Sequence, residues 1–297
     1  MEDSSVNQAS PKSWRTILRD WLICRLTCDI EPKPQVPLSD PAQVLYKIQA
    51  GDVLLVEGRS RVGRVINTIT RSAWSHAALC LGRPKDIKNP EILAKIQQHY
   101  PNADNTPLLI ESRLETGVII LPLSDYQNEH IRICRPKGLS EDNIDKILDY
   151  ALQHVGFKYD HQHIFDLARF LVPWFLLPRR WRSSLFAYHA GASTKMTCSL
   201  LIAEAFMSIH YPILPLVRKD AKGNYEFIRR NVRLFTPRDF DYSPYFDVIK
   251  CPVVDFSETT PYTSIPWNDN LISHDRAGIT QITPDNPQGS KSNDKTD

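Results

Sequence analysis

Five short apolar runs, separated by turn residues, constrain this 297-residue chain more than any other feature: "GDVLLVEG", "SHAALCLG", "PLLIES", "GVIILPL" and "HIRICR". Runs of this length that are rich in Val, Ile and Leu and bounded by Gly, Pro and Ser read as strands. Most follow one another too closely for the crossover helices that a parallel sheet requires, so an antiparallel sheet in an α+β domain is expected. One helix should interrupt the series, because "NPEILAKIQQHYP" offers Asn89 as a cap, Pro90 in the first turn and Pro101 at the end. A second should follow the last run. In "SEDNIDKILDYALQHVG" Ser140 caps an acidic first turn, Ile144, Ile147, Leu148, Ala151 and Leu152 share a face, and Gly156 ends the helix.

The formal net charge of +2 gives no basis for nucleic-acid binding, and neither a phosphate-binding glycine loop nor zinc-finger spacing is present. Nothing in the motifs calls for a cofactor. Six cysteines, at 24, 28, 80, 134, 198 and 251, form no tight framework and several sit inside apolar runs, which suits reduced thiols in a cytoplasmic compartment. The polar, acidic start "MEDSSVNQAS" lacks the layout of a secretory signal, and no run approaches the ~18 apolar residues of a spanning helix.

Outside the strand region, residues 1–45 read as an amphipathic helix followed by a proline-rich linker, "EPKPQVPLSDP". The helix places Trp14, Ile17, Leu18, Trp21 and Leu22 on one face and is open to two readings, docking on the domain or lying on a membrane surface. The domain itself is expected over 46–255 with an apolar and basic insert at 164–190, and the polar segment 256–297 is expected to be disordered.

The residues that carry chemistry begin with Cys198. In "TCSLLIAEAF" Thr197 is placed as an N-cap, so Cys198 opens a helix whose free amides and dipole favour a thiolate, and Leu201, Ile202, Ala205 and Phe206 anchor the helix. Taken alone, a Cys beside an apolar run is more often a packed core residue. His76 opens the run "HAALCLG" and suits a general base, which needs an acceptor on its second ring nitrogen. Glu111, at the end of "PLLIE", can supply that acceptor if the two runs are neighbouring strands.

Taken in order, "GDVLLV", "WSHAALCLG", "LLIES" followed by "GVIILPL", "GFKYD" and "TCSLLIAEAF" resemble the permuted papain-like cysteine hydrolases. The likeness is to the YiiX- and YebB-like branch of the NlpC-type superfamily, which is related to the lecithin:retinol acyltransferase group. It spans roughly residues 50 to 210, and the histidine preceding the cysteine marks the permuted branch. It implies a papain-like antiparallel sheet with Cys198 as nucleophile, His76 as base and Glu111 as the orienting residue. It also implies a substrate cleft lined by Tyr159, with Asp160 either lining it or fixing the loop. Trp74 is assigned to the same cleft.

The expected activity is hydrolysis of an amide in a peptide-like or lipid-linked substrate. Two alternatives stand beside it: a lipid acyltransferase or lipase using the same three residues, and a non-catalytic lipid- or peptide-binding module. The insert "FLVPWFLLPRRWR" favours an anionic membrane surface as partner, through Trp174, Phe175, Arg179, Arg180, Trp181 and Arg182, with packing against the core as the competing reading. Asp160, His161 and His163 in "DHQH" are read as solvated rather than as metal ligands.

Overall fold

The computed structural model describes residues 38–58, 67, 70–101, 105–113, 116–157, 198–254, 262–265, 267, 271–274 and 278–281. These fall into two units that meet in sequence between Val253 and Val254.

The first unit is built on a six-stranded sheet. Its strands are β1 (Val53–Val56), β2 (His76–Gly82), β3 (Leu108–Arg113), β4 (Gly117–Pro122), β5 (Ile131–Pro136) and β8 (Phe246–Ile249), in the spatial order β4-β3-β2-β1-β5-β8. Every pairing is antiparallel, as the spacing of the apolar runs requires. β1 is buried on both faces, which is why it reads as continuous apolar sequence rather than as an alternation.

One face of the sheet carries α2 (Pro90–His99), α3 (Glu141–Leu152) and α4 (Cys198–Ser208). Leu55, Ala77, Leu79, Leu108 and Ile110 meet Ile96, Leu148, Leu201 and Phe206 there in one cluster. On the other face Leu54, Val56, Ala78, Cys80, Leu109 and Ile133 meet Val44 and Ile48. Val44 belongs to a helix that the proline pattern does not announce, α1 (Pro41–Lys47). Asp40 caps it, and Pro41 sits in its first turn, where a missing amide is harmless. Helix caps fall where the sequence places them, Asn89 on the amide of Glu91 and Ser140 on that of Asn143.

Two further strands, β6 (Leu216–Lys219) and β7 (Tyr225–Ile228), form a separate antiparallel ribbon after α4. A short helix, α5 (Pro237–Tyr242), then leads to β8. The second unit contains a pair of strands, β9 (Leu271–His274) and β10 (Gly278–Gln281), within the segment whose polarity suggested disorder. Cys80, Cys134, Cys198 and Cys251 are free thiols, all buried. Among the described residues no helix is long and apolar enough to cross a membrane.

The end of β2 turns on Gly82, which has φ +84° at a register shift against β3. A Cβ at this position would stand 3.0 Å from the Cβ of Ala50. Gly82→Ala should therefore combine left-handed backbone strain with a steric clash and lower stability by about 1–3 kcal/mol, read as a shift in the urea midpoint. A midpoint equal to that of wild type would show that the turn relaxes freely.

Candidate active site

His76 is the first residue of β2 and pairs with Val56 across β1. Alternation therefore puts it on the α1 face of the sheet, the face shared by Glu111, which pairs with Ile119 on β4. Helix α4 lies on the opposite face, so its thiol meets the imidazole at the end of the sheet, just where β2 begins. The Ala77 amide donates to Cys198 Sγ at 3.2 Å. The Cys198 side chain also lies close enough to His76 to act on its protonation.

Glu111 is fully buried in β3. Its Oε2 lies 2.8 Å from His76 Nε2. With Nε2 taken, Nδ1 is the ring nitrogen left for the thiol. Two more donors reach the same carboxylate: the Tyr126 hydroxyl donates to Oε2 at 2.6 Å, and Arg113 Nε donates to Oε1 at 2.5 Å. Arg113 shares the β3 face of Glu111, two residues on. Tyr126 closes the 3-10 turn Leu123–Tyr126 that follows β4. Sequence reasoning missed both. Arg113 was open to discovery, since i and i+2 share a strand face, whereas nothing local ties Tyr126 to β3.

The charges are mutually supporting. Burial alone would lower the His76 pKa, but interactions with Cys198 and the Glu111 carboxylate outweigh it and hold the imidazole well above its usual value. Burial would raise Glu111, yet His76, Arg113 and Tyr126 bring the carboxyl down to about 2. Burial and the adjacent carboxylate push the Tyr126 phenol up, so it stays a donor.

The segment before His76 is tightly held. Ser75 N–H donates to the Val56 carbonyl at 3.1 Å, and the Gly58 amide donates to Ser75 Oγ at 2.8 Å. Trp74, assigned from sequence to the cleft, is only 4% exposed. Its indole donates to Asp241 Oδ2 at 3.1 Å, stacks on His130, and lies under the Arg132 guanidinium. Arg132 donates in turn to Asp241 Oδ1 at 2.7 Å. Trp74 thus braces the strand that presents His76, and these contacts occupy the ring. Tyr159, Asp160, Thr197 and the membrane-contact candidates Trp174, Phe175, Arg179, Arg180, Trp181 and Arg182 lie outside the described residues. Among the described residues no group of three His, Cys, Asp or Glu side chains could hold a metal ion.

Residues 47–169 match the family model of the permuted papain-like amidase enzymes, the YaeF/YiiX, C92 family. Over this segment the chain is similar to that amidase family. The amidase match contains His76 and Glu111 and ends before Cys198, so the thiol is assigned to the site by its contacts with His76 and Ala77. Among solved structures, the crystal structure of metalloprotein yiiX from Escherichia coli O157:H7 is similar at 16% identity and a TM-score of 0.41, covering 68% of this chain and 97% of that one. No curated protein matches the chain.

Glu111 sets a stability dependence on pH. Its pKa is depressed from 4.5 in the unfolded chain to about 2, so its contribution is fully present above the unfolded value and is lost as pH falls through the folded one. Urea unfolding at a series of pH values between 5 and 2 should show Glu111→Gln losing part of the wild-type acid dependence. An unchanged dependence would mean that the carboxylate is not held as an anion.

Proposed function

We propose that this amidase-type hydrolase cleaves an amide bond through an acyl-enzyme on Cys198, with His76 as acid and base and Glu111 as the residue that orients it. The observation that carries this reading is the thiol's position, with the imidazole of His76 and the Ala77 amide against Sγ while Glu111 fixes the far nitrogen of the ring.

Cys198 gives its proton to His76 Nδ1, and Sγ attacks the carbonyl carbon of the substrate. The carbon–nitrogen bond breaks as His76 returns the proton to the leaving amine, leaving a thioester. Water then gives a proton to His76 and attacks the thioester, and the carboxylic acid departs as the proton returns to sulfur. Glu111 stays ionised throughout and stabilises the imidazolium that forms twice in the cycle. The substrate class that suits this chemistry is a peptide-like or lipid-linked amide.

The other described thiols provide an internal control. Burial pushes Cys80 up to about 12, and it also raises Cys134 and Cys251. Iodoacetamide labelling, mapped by peptide mass spectrometry below pH 7, should find Cys198 the fastest of these four and should find that advantage lost in His76→Ala. In a panel of amide substrates, Cys198→Ala should cost at least about a thousandfold in kcat, the scale of losing a catalytic nucleophile. Full hydrolysis by Cys198→Ala would overturn the assignment.

A further inference from the structure

Glu111 has more partners than a simple orienting carboxylate requires. The terminal torsion of a glutamate is broad, so a carboxylate held only by His76 could swing and carry the ring with it. Here three donors from three places converge on it: His76 at the start of β2, Arg113 on β3 and Tyr126 in the turn after β4. Arg113 occupies Oε1 while Tyr126 and His76 share Oε2, so the carboxylate plane has a single orientation. Among the described residues, the titratable and charged groups against His76 and Glu111 are these two and Cys198 of α4.

We propose that Arg113 and Tyr126 are positioning residues for the reaction at Cys198, acting through Glu111 to hold one orientation of the His76 ring. This rests on the function proposed above. The test uses two variants that conserve charge, Tyr126→Phe and Arg113→Lys, in the full-length chain. The His76 ring is titrated by NMR, and Cys198 labelling by iodoacetamide is followed at pH 6.

Loosening the carboxylate should move the His76 midpoint down by about half a unit to one unit, and labelling should slow several-fold, since one unit corresponds to a tenfold change in equilibrium. Kinetics on a cleaved substrate should show the loss in kcat with KM little changed. If both variants titrate and label as wild type and only the melting temperature falls, the proposal is overturned and the two residues serve stability alone. If wild-type Cys198 is inert while the variants still shift His76, the coupling stands and the hydrolase reading fails.

A different observation carries a second inference. The β6–β7 ribbon leaves Val217, Tyr225, Phe227 and Leu216 exposed at 46%, 68%, 58% and 63%. Pairing sets Val217 opposite Phe227 and Lys219 opposite Tyr225, so an aliphatic and aromatic strip with a lysine lies on one face. Lys219 Nζ stands 5.1 Å over the Tyr225 ring. Across the ribbon, Leu216–Ile228, Arg218, Lys219 and Lys222 stand against Asp220 and Glu226, a net +1, and Arg218 is paired with Glu226, which among the described residues leaves Lys219 and Lys222 as its unpaired cations beside the rings. The ribbon therefore presents Lys219, with Lys222 in its turn, beside exposed apolar rings. That combination complements an anionic lipid surface, where rings sit at headgroup depth and lysines meet phosphates.

We infer that the β6–β7 ribbon is a docking surface for anionic membranes. Flotation of the full-length chain with phosphatidylcholine vesicles containing one-third phosphatidylserine tests this against vesicles of phosphatidylcholine alone. The variants are a Val217→Asp, Phe227→Asp pair and a Lys219→Gln, Lys222→Gln pair, with wild-type Cys198 labelling as the check that the fold is intact. Wild type should float only with the anionic vesicles, and each pair should lower the floating fraction several-fold. Equal flotation of wild type and variants, no dependence on phosphatidylserine, or a self-associated wild type that both pairs render monomeric without any flotation would each overturn the inference.

Discussion

A carboxylate without water around it must find its hydrogen-bond donors within the protein, and Glu111 imposes that requirement on the whole sheet. Its three donors come from β2, from β3 itself and from the turn beyond β4, so all three strands must be in register for the charge to be tolerated. A one-residue slip of β3 would carry Glu111 to the α4 face and leave it among Leu79, Val118 and Leu201. Correct strand pairing and correct alignment of His76 are therefore one constraint. A misregistered sheet would bury an unpaired charge at a cost of several kcal/mol.

The sheet also separates two tasks. Its α1 face holds the polar machinery that sets the imidazole, and its other face holds the apolar packing that fixes α4. The thiol and the ring meet only at the end of the sheet, past Ala77. Substitutions within the packing of α4 would thus act on the position of sulfur, whereas substitutions around Glu111 would act on the ring. The brace of Trp74, His130, Arg132 and Asp241 belongs with the second group, because it holds the two residues before His76 against α5 and β5.

Much of this was legible in the sequence because it is encoded locally. Strand runs and the Asn89 and Ser140 caps follow from spacing within short stretches, whereas the meeting of His76 with Glu111 depended on their two strands being neighbours. What escaped depends on contacts between distant segments. Tyr126 has no local mark that directs it toward β3, and nothing local marks Trp74 as the donor of a hydrogen bond to Asp241, 167 positions on. Helix α1 was hidden by its prolines, since a seven-residue segment gains its stability from Val44 packed under the sheet rather than from propensity. The β6–β7 ribbon gave no periodic core signal because it has no buried face.

His76 and Glu111 stand on neighbouring strands, and the sulfur they serve comes much later in the chain, at the start of α4. Synthesis runs from the amino end, so imidazole, carboxylate, guanidinium and phenol are all made before Cys198. A nascent chain therefore carries the His76–Glu111 pair before Cys198 exists. On the function proposed above, the site is completed only when α4 packs against β2 and β3, and the edge strand β8 is made later still.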